Sequence, residues 1–245
     1  MGESLAWLRA HLRGDGEPRA TPVRVHVSGV DEWRDYAEWP PPGTTVRPLY
    51  LHPGTLDEAA PEGDAVVGRF RYDPHHPTPS VGGPLLSRTA GVRDNGALEA
   101  RPDVLTFTTN PLERSVEVIG PVTATLRVSA KPGARIDLFA RLCDVDGAGR
   151  SSNVCDGLLR LPAFTAPDPA TGEALVEATV DLVATAHQFR PGHRIRLQVS
   201  GGAHPRFARN TGTGEPVATA TRLVATDVAV HSGSTLCVST VVLTS

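Results

Sequence analysis

Between Arg101 and Glu215 apolar residues recur at every second position, in runs broken by turn-forming sequences. That period limits what the chain can fold into more than any other feature. Val122, Ala124, Leu126 and Val128 alternate with Thr123, Thr125 and Arg127, and Ile195, Leu197 and Val199 alternate with Arg194, Arg196 and Gln198. Successive side chains of a strand point to opposite faces, so each run predicts a strand with one face in a core and one in water. Ile136, Leu138, Ala140 and Leu142 repeat the pattern before a turn at 146–149, and Leu236 to Leu243 supplies a closing strand. The 24 glycines and 22 prolines favour many short strands and tight turns, with helix the minor element. Strands at irregular spacing, without crossover helices, predict an all-β, two-sheet antiparallel β-sandwich.

The first forty residues read differently. Ser4 to Arg13 predicts a short helix, capped by Ser4, with Leu5, Leu8 and Leu12 on one face and Gly14 as its stop. Pro22 to Ser28 predicts a strand in which Val23, Val25 and Val27 alternate with Arg24 and His26. One helix and one strand make no domain. Asp31 to Gly43 contains Trp33, Trp39 and consecutive prolines, which predicts an irregular connector docked on its neighbours. Strands resume at Leu49–Leu51 and Ala65–Tyr72, followed by a proline-rich loop from Asp73 to Pro84.

A net charge of −3 with both signs interspersed provides no basic stripe for nucleic acid and no polybasic segment for an anionic membrane. Apolar runs are strand-sized, and the first residues lack the plan of a secretory signal, so a soluble cytoplasmic protein is expected. Cys143, Cys155 and Cys237 form neither an even disulfide framework nor a Cys-x-x-Cys pair. Small strand residues in a reducing compartment are the simpler expectation.

Motifs that carry chemistry are missing. The chain has no Gly-x-Ser-x-Gly elbow, no His-Glu-x-x-His, no phosphate loop and no dinucleotide fingerprint. Thr211-Gly-Thr-Gly-Glu215 reads as a turn, and Asp144-Val-Asp146-Gly as a hairpin turn in preference to a calcium loop, which would need further acids. His52, His75 and His76 lack a spaced third ligand, so no metal is expected, and no other cofactor. His193 follows Pro191-Gly192, where an imidazole bonded to a backbone carbonyl would lock the turn. A Ser-His-Asp site assembled from distant positions is possible in geometry, but no motif recommends one.

Several segments, in order, resemble the C-terminal domain of the X-prolyl dipeptidyl-peptidase and cocaine-esterase family of serine hydrolases. They are Tyr72-Asp-Pro, Pro79-Ser-Val-Gly-Gly-Pro-Leu-Leu, Arg101-Pro-Asp-Val-Leu, Asp156-Gly-Leu-Leu-Arg and Arg190-Pro-Gly-His-Arg. The resemblance covers nearly the whole chain. It implies a jelly-roll sandwich over residues 43–245, with residues 1–42 as the end of an α/β-hydrolase domain and its connector. It implies as partner an α/β-hydrolase catalytic domain, whose Ser, Asp and His all precede the opening helix, so that the catalytic residues of this chain are none. The complete protein would act on a small ester, amide or Xaa-Pro peptide bond through an acyl-enzyme. The resemblance also brings the loop with Gly82-Gly83-Pro84 toward the acyl pocket, which makes Leu85 and Leu86 the substrate-contacting candidates. The plain alternative places both leucines in the core or an interface. A second function, a stand-alone jelly-roll module binding carbohydrate or another ligand, would need an exposed aromatic platform. A third, a divergent hydrolase with a site inside the sandwich, lacks any motif.

Overall fold

The computed structural model of the chain describes residues 2–17, 20–216 and 218–241. It begins with helix α1 (Gly2–Leu8), which widens into a π-helical turn at Arg9–Arg13. Gly14 ends the turn in the left-handed conformation at φ 65°, its N–H bonding back to Arg9 O. Because the helix starts at Gly2, Ser4 lies inside it instead of capping it. Strand β1 (Val23–Val27) then pairs antiparallel with β2 (Glu32–Tyr36). Residues 32–36, expected as irregular connector, are therefore the second arm of a hairpin. The prolines that forbid pairing come later, at Pro40, Pro41 and Pro42.

The sandwich strands follow in order. They are β3 (Thr45–His52), β4 (Thr55–Asp57), β5 (Val66–Tyr72), β6 (Val104–Thr108) after a one-turn helix α2 (Gly96–Glu99), and the long β7 (Val116–Ala130). Then come β8 (Asp137–Val145), β9 (Ser151–Arg160), β10 (Ala174–Phe189), β11 (Arg194–Ser200), β12 (Thr226–His231) and β13 (Thr235–Val241). β7 is the spine of one layer. β10 covers one of its edges, while β13 and β12 share the other, continuing to β3–β4 and to β5. The second layer runs β6–β11–β8–β9. All these pairings are antiparallel, and a single parallel pair, Thr55 opposite Thr108, joins the two layers through β4 and β6.

One apolar core lies between the layers. Val122, Ala124, Leu126 and Val128 enter it from β7, and Leu138, Leu142, Ile195 and Leu197 from β8 and β11. Each fully buried aliphatic side chain is worth about 1.5–3 kcal/mol, which explains why the period-two runs make the strands they predict. β8 departs from that expectation, because every one of its residues is buried. Its outward face, Asp137, Phe139 and Arg141, lies beneath the segments 81–95 and 204–211: Arg141 bonds Val81 O, Asp137 accepts from Asn210, and Phe139 meets Phe207. β9 presses against β10 so closely that a Cβ on Gly157 would sit 1.8 Å from Asp181 O. Gly157→Ala is therefore expected to cost at least about 2 kcal/mol in chemical denaturation. Gly147→Ala, where no atom lies within 4 Å, should cost far less in the same measurement.

Candidate functional site

Arg141 and Asp156 stand opposite each other on β8 and β9. The Arg141 side chain has no solvent exposure. Its Nε and Nη2 donate to Asp156 Oδ2 at 3.1 and 2.9 Å, and its Nη1 donates to Val81 O at 2.6 Å and to Asn95 Oδ1 at 2.7 Å. Arg206 Nη1 donates to the other Asp156 oxygen. Two guanidiniums thus share one buried carboxylate, and breaking such a pair leaves an uncompensated charge at a cost of about 3–5 kcal/mol.

This cluster carries the loop that holds Leu85 and Leu86. Gly83 and Gly91 exchange both N–H···O bonds at 2.9 Å, closing the loop at its base. Asn153 Oδ1 accepts from the Arg93 N–H at 2.8 Å. Gly82 adopts φ +60°, and a Cβ there would lie 2.5 Å from Gly91 O, so no larger residue fits. The loop tip projects from this base: Leu85 is half-buried and Leu86 fully exposed. Neither belongs to the apolar core.

The strand that borders this region also receives the N-terminal hairpin. Ser28 forms a parallel bridge with His187 on β10, its N–H donating to Ala186 O at 3.0 Å and its carbonyl accepting from Gln188 at 2.9 Å. From β2, Arg34 donates to both oxygens of Glu117 on β7 at 2.6 and 2.7 Å. Glu117 holds the Arg34 guanidinium well above its usual range.

A serine, a histidine and an aspartate do meet here. Ser28 Oγ lies 2.8 Å from His187 Nδ1, and His187 Nε2 donates to Asp144 Oδ2 at 2.9 Å. His193 Nδ1 donates to the second oxygen of Asp144 at 2.8 Å, so His193 locks its turn through a carboxylate and not through the carbonyl that the sequence suggested. The arrangement latches the hairpin to β10. Ser28 is held extended by two backbone bonds instead of standing on a strained elbow, and its hydroxyl also lies 3.0 Å from Ala186 O, which competes for its proton. His52, His75 and His76 stand outside this group: His75 and His76 are exposed, and His52 bonds Ala59 O. Among the described residues no cluster of metal-binding side chains occurs. Asp146 caps its own turn, accepting from the Ala148 and Arg150 N–H groups as the hairpin reading required.

Residues 16–238 match the family described as X-Pro dipeptidyl-peptidase C-terminal non-catalytic domain. The chain belongs to that family. A cocaine esterase of Rhodococcus sp. (strain MB1 Bresler) is 38% identical over 233 residues, covering 87% of this chain and 40% of the relative. An α-amino acid ester hydrolase superposes with a TM-score of 0.78 at 25% identity, over 96% of this chain and 43% of that one. An aminopeptidase of a marine-sediment Thaumarchaeota archaeon shares the fold, with a TM-score of 0.80 at 22% identity over 97% of this chain and 43% of that one. The chain thus spans about two fifths of the relatives it matches.

The residues that sequence reasoning missed are Arg141, Asn95 and Arg206. Arg141 occupies a position that alternation assigns to solvent, and only the segments folded over β8 bury it. Asp156 opens one of the segments that carried the resemblance, and its partners were not legible from spacing.

Removing the His187 imidazole by His187→Ala should loosen the hairpin, which Arg34 and the Ser28 backbone bonds still hold, with a loss of about 1–3 kcal/mol in stability and faster proteolysis between 29 and 44. A second serine–histidine contact yields a pH prediction. His231 Nε2 lies 2.8 Å from Ser129 Oγ, which itself donates to Glu173 at 2.5 Å. Burial, outweighing the nearby Asp64, lowers the His231 pKa from 6.5. The unfolded chain therefore takes up the proton first, and stability is full above about pH 6.5 and falls as pH drops through the folded value. Melting curves from pH 7.5 to 5 should show a smaller acid loss for His231→Gln than for the unaltered chain.

Proposed function

We propose that this chain is the accessory C-terminal part of a serine hydrolase, shaping the substrate pocket of an α/β-hydrolase domain and stabilising it. The observation that carries the reading is the distribution of apolar surface. Helix α1 buries none of its residues, and Leu5, Trp7, Leu8, Leu12 and Trp33 are all exposed. A cleft of about 840 Å³ opens between α1 and β1, lined by Ala6, Trp7, Ala10, Pro22 and the stem of Arg24. Exposed apolar surface of this extent on one unit marks a face made for a partner. Residues 1–42 then belong structurally with the catalytic domain, and residues 43–245 form the sandwich, whose jelly-roll order follows from family likeness.

On this reading the catalytic domain supplies the Ser, Asp and His, and Leu85 and Leu86 reach the acyl side of its pocket. The rigid base of their loop supports that role, since a projecting leucine held in place costs little further ordering on binding. The bond cleaved would be an ester, an amide or a post-proline peptide bond, in keeping with the relatives' names. The cytoplasm is the proposed compartment, supported by three free cysteines. No described helix is long and apolar enough to cross a membrane. The carbohydrate-module alternative lacks support from exposed aromatics, since Trp7, Trp33 and Trp39 all lie in residues 1–42 and none on the sandwich.

The test is ester and Xaa-Pro-amide hydrolysis, read together with a fluorophosphonate serine probe. The chain alone should neither turn over nor label, and addition of a catalytic half in trans should restore both. Labelling of the isolated chain would overturn the reading. In the reconstituted enzyme, Leu86→Asp should lower kcat/KM roughly tenfold, about 1.4 kcal/mol, while leaving the melting temperature of the chain unchanged.

A further inference from the structure

A cleft of about 380 Å³ lies beside the Leu85–Leu86 loop, distinct from the loop tip itself. Its walls include Pro84 and Val92 from the loop, Val154 from β9, and Leu182 and Val183 from β10; Asp156 and Arg206 also line it. The volume is that of a small-molecule site, and the composition matches one: mostly apolar, with a few converging polar groups.

The charges at this lining do not cancel. Asp156 spends one oxygen on Arg141 and the other on Arg206, which leaves one positive charge in excess within the cluster. Arg206 keeps 14% of its side chain exposed, its guanidinium lies 4.8 Å over the Phe207 ring, and Nη1 is its only hydrogen-bonded nitrogen among the described residues. Its Nε and Nη2 groups therefore retain donors for a ligand, in the fork geometry that suits a carboxylate. Nearby, the Arg93 guanidinium meets only backbone carbonyls, those of Val92 and Arg88. Asp181, the acid at the β10 bulge, is exposed and already accepts from the Val183 N–H at 2.8 Å.

Val183 is an unusual wall. It is 62% exposed and sits at φ 68°, a conformation that a β-branched side chain adopts at a cost of roughly 1–3 kcal/mol. Val92, in the same lining, is 58% exposed. Two exposed valines and an arginine with N–H groups to spare, sharing one lining, suit one kind of ligand, an apolar body carrying a single anionic group.

We propose that this cleft binds a small carboxylate with an apolar body, its carboxylate on Arg206 and its body between Val92 and Val183. This goes beyond the accessory-domain reading and concerns this chain by itself, so it stands or falls without a catalytic partner. The probes are benzoate, benzyl alcohol, acetate and inorganic phosphate, titrated calorimetrically into the chain, with the Arg206 side-chain N–H signals followed by NMR. Benzoate should saturate in the millimolar range and shift the Arg206 signals, while the other three should bind at least tenfold more weakly. Val92→Asp keeps an exposed site exposed and should weaken benzoate at least tenfold, as should Arg206→Met if that variant keeps its circular dichroism. Absence of saturable benzoate binding overturns the proposal. So does equal binding of benzyl alcohol or phosphate, or undiminished affinity in Val92→Asp.

Discussion

A guanidinium with no access to water must have its charge matched and its N–H groups filled, and Arg141 imposes that demand on everything around it. Asp156 answers the charge from the neighbouring strand. The remaining donors need oxygens that β8 and β9 do not possess, and Val81 O and Asn95 Oδ1 supply them from a segment distant in sequence. The segment 81–95 is thereby drawn across the back of β8. Asp156, with an oxygen to spare, draws Arg206 across from the other direction. A face of the sandwich that would otherwise be solvated becomes a polar second layer, and that layer holds the loop bearing Leu85 and Leu86.

The N-terminal hairpin is fixed by the same kind of chemistry. Arg34 reaches Glu117, whose side chain is 1% exposed, and Ser28 joins the His187–Asp144–His193 chain. Charge-assisted bonds of this sort weaken steeply with misalignment, so they set the angle of the hairpin on the sandwich more strictly than apolar contact would. On the inward side of residues 23–36 Val27 is fully buried, and Ser28 and Arg34 add polar contacts beside it. Trp33 on the outward side, with Leu5, Trp7 and Leu8 of α1, is exposed.

The alternation of Val122 to Val128 and of Ile195 to Val199 was enough to read the sandwich, because burial of one strand face is a local, period-two property. It misled at β8, where Asp137 and Arg141 look solvated in sequence and are buried by loops that no periodicity encodes. The hairpin arm Glu32–Tyr36 was missed for a related reason: its partner β1 buries little of it, so its sequence carries no apolar alternation. The latch was invisible as well. Ser28 and Asp144 stand far in the chain from His187 and His193; β8 and β11 pair Asp144 beside His193, and the bridge of Ser28 to β10 adds the serine. Leu85 and Leu86 came from family likeness, and no pattern in their own neighbourhood marks them.

Rigidity at the base of an exposed loop has a thermodynamic meaning. Gly82, Gly83 and Gly91 all take positive φ, and the paired N–H···O bonds between Gly83 and Gly91 fix the loop before any partner arrives. The entropy of ordering the tip is thus met by the folding of the sandwich, and a partner or substrate that packs on Leu86 keeps more of its contact energy. Beside it on β10, the strained Val183 is held by Asp181 and β9, so the cost of that conformation also falls on folding. Both features trade stability of this chain for a surface shaped in advance. That trade makes physical sense only where something of defined shape is brought against the flank shared by the loop, the bulge and the hairpin.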